Sequence, residues 1–161
     1  MALKFEELKI LQTSEDIADG IWKEILQWKP FVRDVVGKQL ARSADSIGAN
    51  IAEAYGRFHY DEKVQFLYYA RGSLFETKYW LNRVKERQLM TENQVKDYGT
   101  RLSELARQLN TFISELKTQQ RRNQSKQRSI SDTSVNYATD QGNGLSMPLF
   151  EEEDLQWIDN T

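Results

Sequence analysis

Glu53 and Glu76 are the residues from which acid–base chemistry could start, and the surroundings of Glu53 decide what they do. Within residues 39–57, Ser46, Asn50, Glu53 and Arg57 recur at steps of four, three and four. On a helix that spacing places them on one face. Ala and Ile flank this stripe, instead of the Lys/Glu mixture of a solvated surface. A polar stripe beside an apolar one is expected to turn inward, where each group needs a partner. Two carboxylates meeting there would make an acid–base pair. Arg42, Arg57 and Arg71 lie close enough in the same pattern to neutralise them instead. The stripe is therefore read as structural: Arg42, Ser46, Asn50, Glu53, Ser73 and Glu76 form a polar network between two helices, and no residue is assigned as catalytic.

Other chemistry is excluded by residue type. There is no cysteine, so thiolate metal sites, disulfides and cysteine nucleophiles are absent. The single histidine, His59, does not support a catalytic triad or a zinc triad. No Glu-x-x-His motif is present for a di-iron centre, and no glycine-rich phosphate loop occurs. No cofactor or metal is expected, and the chain is read as a non-enzyme.

The elements that position these residues follow from periodicity. Ile10, Ile17, Ile21, Ile25 and Trp28 line one face of a first helix over residues 7–28, closed by Pro30. Leu40, Ala44, Ile47, Ile51 and Ala54 line a second, over residues 31–55, with Gly56 placed for a left-handed cap. Asp61 is the expected N-cap of a third over residues 61–87, with Leu67, Ala70, Leu74, Thr77, Leu81 and Val84 as its seam. Gly72 and Ser73 in mid-helix suggest a close approach to Gly48 and Ala49. Thr91-Glu92-Asn93-Gln94 is a capping box opening a fourth helix, whose heptad seam runs Val95, Tyr98, Leu102, Leu105, Leu109, Phe112, Leu116 and ends near Arg122. The fold class is all-α: an antiparallel up-down four-helix bundle over residues 1–122 with a disordered C-terminal tail. Phe66, Tyr68, Tyr69, Phe75, Tyr79 and Trp80 exceed what one bundle core needs, and the surplus is read as a surface for self-association.

Charge is unevenly distributed. Residues 1–122 carry a net +3, and residues 123–161 a net −5. Arg83, Lys85 and Arg87 close the third helix, and Lys117, Arg121 and Arg122 close the fourth, so antiparallel packing sends the two clusters to opposite ends. Repeated around an oligomer, such clusters suit a polyanion. Residues 123–161 lack helical periodicity and read as a disordered acidic tail. Within it, residues 145–158 place Leu149, Phe150, Leu155, Trp157 and Ile158 around an acidic block, the pattern of a partner-docking segment. No apolar run approaches the roughly 20 residues of a membrane span, and no signal-peptide core follows Met1, so a cytoplasmic location without membrane contact is expected.

Two stretches resemble a known family. Gln39-Leu40-x-Arg42-x-Ala44-x-Ser46-Ile47-x-x-Asn50-Ile51-Ala52-Glu53-x-x-Gly56-Arg57, followed by Ala70-Arg71-Gly72-Ser73-Leu74-x-Glu76, resembles the paired signature of a bacterial four-helix-bundle family. Its members are the proteins encoded within intervening sequences of 23S ribosomal RNA genes. The resemblance covers about residues 3–120. Ala41 stands where the family has a second arginine, and Ala54 where it has a glycine. It implies a homo-oligomer, a pentamer around a central channel, and distant kinship of fold with the nucleic-acid-binding accessory protein of diversity-generating retroelements. The expected function is a non-catalytic homo-oligomeric scaffold contacting structured RNA or another nucleic acid. The alternative is a protein-interaction module that recruits a protein partner through the acidic-aromatic tail.

Overall fold

Pro30, the link at residues 57–59 and the turn around Gln88 divide the chain where the helices reverse direction. The computed structural model describes residues 8–131. Helix α1 is Lys9–Leu26. Helix α2 is continuous from Pro30 to Gly56, through Pro30–Val32, a π-helical turn at Arg33–Gly37, and Lys38–Gly56. Helix α3 is Tyr60–Glu86, and α4 is Glu92–Ser131. Each helix packs on its chain neighbours, the α2/α3 pair most extensively, and α4 closes back on α1. The described residues thus form the four-helix up-down arrangement that the periodicity implies.

The core is built from the expected seams. Ile17, Ile21, Leu40, Ile47, Leu67, Leu74, Leu81, Val84, Leu102, Leu105 and Leu109 are all fully buried. The capping box also forms: the Thr91 N–H donates to Gln94 Oε1 at 2.9 Å, and the Gln94 N–H donates to Thr91 Oγ1 at 3.3 Å.

Several local expectations are corrected. Gly56 has no positive φ; it ends α2, and Arg57 in extended backbone donates its N–H to the Ala54 carbonyl. The left-handed position is Gln88, at φ 55°. Leu89 N–H bonds the Val84 carbonyl at 3.0 Å and Gln88 N–H bonds that of Lys85 at 2.9 Å. That pair satisfies carbonyls left open at the end of α3. The N-cap of α3 is His59, not Asp61, and Asp61 instead accepts a hydrogen bond from Gln120 at 2.9 Å.

The π turn is not legible in the sequence. It ends on a buried glycine: a Cβ on Gly37 would lie 2.7 Å from Ile25 Cγ2. Only a residue without a side chain lets α2 run that close to α1. The Gly72 expectation fails in the opposite sense, since nothing lies within 4 Å of where its Cβ would be. Gly48, the other half of that expected pair, is approached instead by α1, through Ser14.

Helix α4 also runs nine residues past Arg122 before the described residues end. Residues 123–131 contain neither Gly nor Pro, and their Gln, Lys and Arg are good helix formers. The remainder of the expected disordered tail, including the docking segment 145–158, lies outside the described residues.

Candidate nucleic-acid interface

The polar stripe on α2 divides. Asn50 Nδ2 donates to the Ser46 carbonyl at 2.8 Å and reaches Ser73 Oγ of α3 at 3.5 Å, the outer limit of a hydrogen bond. Ser73 Oγ itself donates to the Tyr69 carbonyl at 3.1 Å, and Ser46 Oγ to that of Arg42 at 2.7 Å. Glu53 is exposed and pairs with Arg57 one turn on, along the surface. Arg42 and Glu76 are exposed as well. Of the six residues in the expected network, the structure brings only Asn50 and Ser73 together across helices. The reason is rotational: the apolar seam of α2 takes the centre of the α2/α3 contact, and residues a third of a turn away meet solvent.

The buried polar seam lies instead between α3 and α4. Arg71 is 7% exposed, and its Nη1 donates to Asn110 Oδ1 at 2.8 Å. Its guanidinium sits 5.2 Å from the Tyr68 ring centroid. Lys117 Nζ donates to the Tyr68 hydroxyl at 2.8 Å, so this cation is tied to the protein. Lys78 is 3% exposed in the same interface. Sequence reading missed Asn110 and Lys78, because a lysine or an asparagine at helical spacing carries no mark of which way it turns.

The two basic clusters do sit at opposite ends of the bundle. At one end, Arg83 lies beside Tyr79, 5.9 Å from the ring centroid, and its Nε is buried with no hydrogen-bond partner. Lys85 is 3.4 Å from the Glu92 carboxylate. Arg87 is exposed at the C-cap of α3. Acids interrupt this cluster: Glu86 and Glu92 are both exposed here.

The other end differs. Gln120 reaches Asp61, and Asn123 reaches the Tyr60 hydroxyl at 3.2 Å, fixing the late turns of α4 against the start of α3. Beyond them α4 continues to Ser131, about 12 Å further at 1.5 Å per residue. Residues 117–131 contain Lys117, Arg121, Arg122, Lys126 and Arg128 and no acid at all. Arg121 and Arg122 are exposed. Arg122 also closes a shallow groove of about 550 Å³ with Asn110, Thr111, Ser114, Glu115, Thr118 and Gln119. Amide and hydroxyl groups beside an arginine are donors suited to phosphate and sugar oxygens. Sequence reading missed Lys126 and Arg128 because the apolar seam ends before them; the signal was the lack of a breaker or an acid up to Ile130.

Perturbed titrations lie away from both clusters. Burial, with the Asp19 carboxylate nearby, raises Asp45 above 3.8. Hydrogen bonding and charge from Lys38 lower Asp34. Burial, then the Glu24 charge, raises Tyr98. Among the described residues no group of three or more His, Cys, Asp or Glu could hold a metal ion, and no helix is long and apolar enough to cross a membrane.

Comparison with known proteins follows the same helices. None of the curated proteins compared matches the chain. A solved structure, from Bacteroides thetaiotaomicron and described as a protein of unknown function from the S23 ribosomal protein family, is similar. It is 27% identical, with a TM-score of 0.58, over 65% of this chain and 97% of that one. The model of the 23S rRNA-intervening sequence proteins matches residues 6–111, which takes in all of α1, α2 and α3 and half of α4. Both signature stretches, on α2 and α3, fall inside that match, and the chain therefore belongs to the 23S rRNA-intervening sequence protein family.

Proposed function

We propose that this protein is a non-catalytic, homo-oligomeric scaffold that contacts structured RNA through the cationic end of α4. One observation carries the reading: residues 117–131 carry five cations and no acid on a helix that runs on past the start of α3. Membership of a family named for ribosomal RNA supports RNA as the polyanion. Such a surface recognises phosphates, so it positions the protein on RNA without reading sequence. Arg121 and Arg122 are the principal contacts. Lys117 is secondary because Tyr68 holds it. Arg83, Lys85 and Arg87 form a weaker second patch, diluted by Glu86 and Glu92. Oligomerisation, as a pentamer, would repeat each patch and multiply a weak interaction.

Fluorescence anisotropy on a labelled RNA hairpin tests this. Affinity should fall steeply between 50 and 200 mM salt, by roughly 10³ if about six phosphates are bound. Arg121→Gln with Arg122→Gln should weaken binding and lower the salt slope by about one for each phosphate no longer neutralised. Arg83→Gln should do much less. Binding that ignores salt, or that survives the α4 double substitution unchanged, would refute the assignment.

A second reading is favoured by a different surface. Trp22, Leu26, Phe31 and Val35 are all at least half exposed around the turn between α1 and α2. An apolar patch of this kind marks a protein contact. In a protein-interaction module it would serve a protein partner alongside the acidic-aromatic tail, and RNA would play no part.

A further inference from the structure

The heptad seam of α4 is fully buried at Leu102, Leu105 and Leu109, then loses its cover at Phe112 and Leu116. There it opens into a groove of about 430 Å³. Leu8, Ile51, Ala54 and Tyr55 complete its apolar wall, and Lys63, Glu115 and Gln119 are its polar residues. Tyr55 is 42% exposed on this wall. The groove thus lies at the cationic end of the bundle, beside the turn of α4 that leads to Arg121 and Arg122.

We propose that this groove seats the chain's own C-terminal segment, residues 149–158. Three observations select that occupant. The first is chemical match: Leu149, Phe150, Leu155, Trp157 and Ile158 supply large apolar side chains to an apolar groove. The second is charge. Residues 132–161 carry Asp132, Asp140, Glu151, Glu152, Glu153, Asp154 and Asp159 with no Lys or Arg, whereas residues 117–131 carry the five cations and no acid. Opposite blocks on one chain attract at close range. The third is reach. From Ser131 back to the level of Leu116 is about 22 Å along the helix, and the linking residues 132–148 span up to about 55 Å when extended. Residues 1–7 also lead to the groove through Leu8, but they carry Lys4, Glu6 and Glu7 and so lack the charge match.

Docking would lay the acidic block against the cations of α4 and compete with RNA phosphates there. That consequence rests on the RNA reading; the docking itself does not, and it is measured without nucleic acid. Because the chain has no cysteine, Asn160→Cys gives the full-length protein one attachment point for a nitroxide label. Amide signals of Ala54, Tyr55 and Leu116 should lose intensity several-fold. Those of Val84 and Val95, at the other end, should keep theirs. Phe150→Ser with Trp157→Ser, which alters no residue of the bundle, should restore the diminished signals. The proposal is overturned by groove signals that the label leaves untouched, which would give the groove to residues 1–7 or to another protein. It is equally overturned by signal loss that persists in the double variant. Loss carried only from labelled to unlabelled chains in a mixed sample would assign the groove to the tail of a second copy and overturn docking within one chain.

Discussion

Arg71 is where a single side chain carries most. A guanidinium at 7% exposure is costly unless its donors are matched, and Asn110 and the Tyr68 ring face it. Asn110→Leu leaves a buried donor without its acceptor and should destabilise the fold by about 1–3 kcal/mol, read as a lower urea midpoint. Glu53→Ala should change stability by less than about 0.5 kcal/mol, since its pair with Arg57 is solvent-exposed. Equal losses in the two variants would contradict the placement of the polar seam between α3 and α4. Asp45 gives a pH signature. Its folded pKa is raised, by burial first and then by Asp19, so ionisation is easier in the unfolded chain. The sign follows: stability contributed by Asp45 is full below its unfolded value of 3.8 and declines as pH rises through the folded value. Asp45→Asn should therefore raise the melting temperature at pH 7 and leave it unchanged once the pH is below 3.8. A gain of the same size at both pH values would rule out an ionisation effect.

At the scale of elements, Gly37 of α2 and Gly72 of α3 should respond in opposite ways. Gly72 costs α3 about 1 kcal/mol relative to Ala and has open space around it, so Gly72→Ala should stabilise an isolated protomer by about that amount. Gly37 lies in the π turn, where an added methyl group would meet Ile25 Cγ2 at 2.7 Å, so Gly37→Ala should destabilise by about 1–3 kcal/mol through overpacking. Thermal melts of the two single variants check both. A drop in stability in Gly72→Ala would mean that another surface packs on that face of α3.

The same face bears on the whole molecule. Tyr69 and Tyr79 are about half exposed, while Phe66, Tyr68, Phe75 and Trp80 pack against the core. Two of the six surplus aromatics of α3 thus remain for self-association, joined by the exposed residues around the α1–α2 turn. Tyr79→Lys with Phe31→Lys should shift sedimentation toward the 18.9 kDa monomer if these surfaces build the proposed oligomer. A wild-type chain that sediments as a monomer at micromolar concentration would end the proposal of a repeating cationic surface.

The sequence by itself determined the four helices, their seams, the capping box at Thr91 and the family signature. Those features rest on spacing within one helix, and a helix repeats at a fixed 3.6 residues whatever lies next to it. Only the tertiary structure decided which way each polar residue turned. Arg71 and Arg42 belong to the same kind of pattern, yet one is buried against α4 and the other meets solvent. Rotation of a helix about its own axis is set by packing against its neighbours, and these residues sit at the edges of the seams where a small rotation reverses the outcome. The groove at Phe112 and Leu116 is of the same origin. The seam continues through both residues in sequence, and only the packing of the neighbouring helices decides that they are half covered while Leu102, Leu105 and Leu109 are buried.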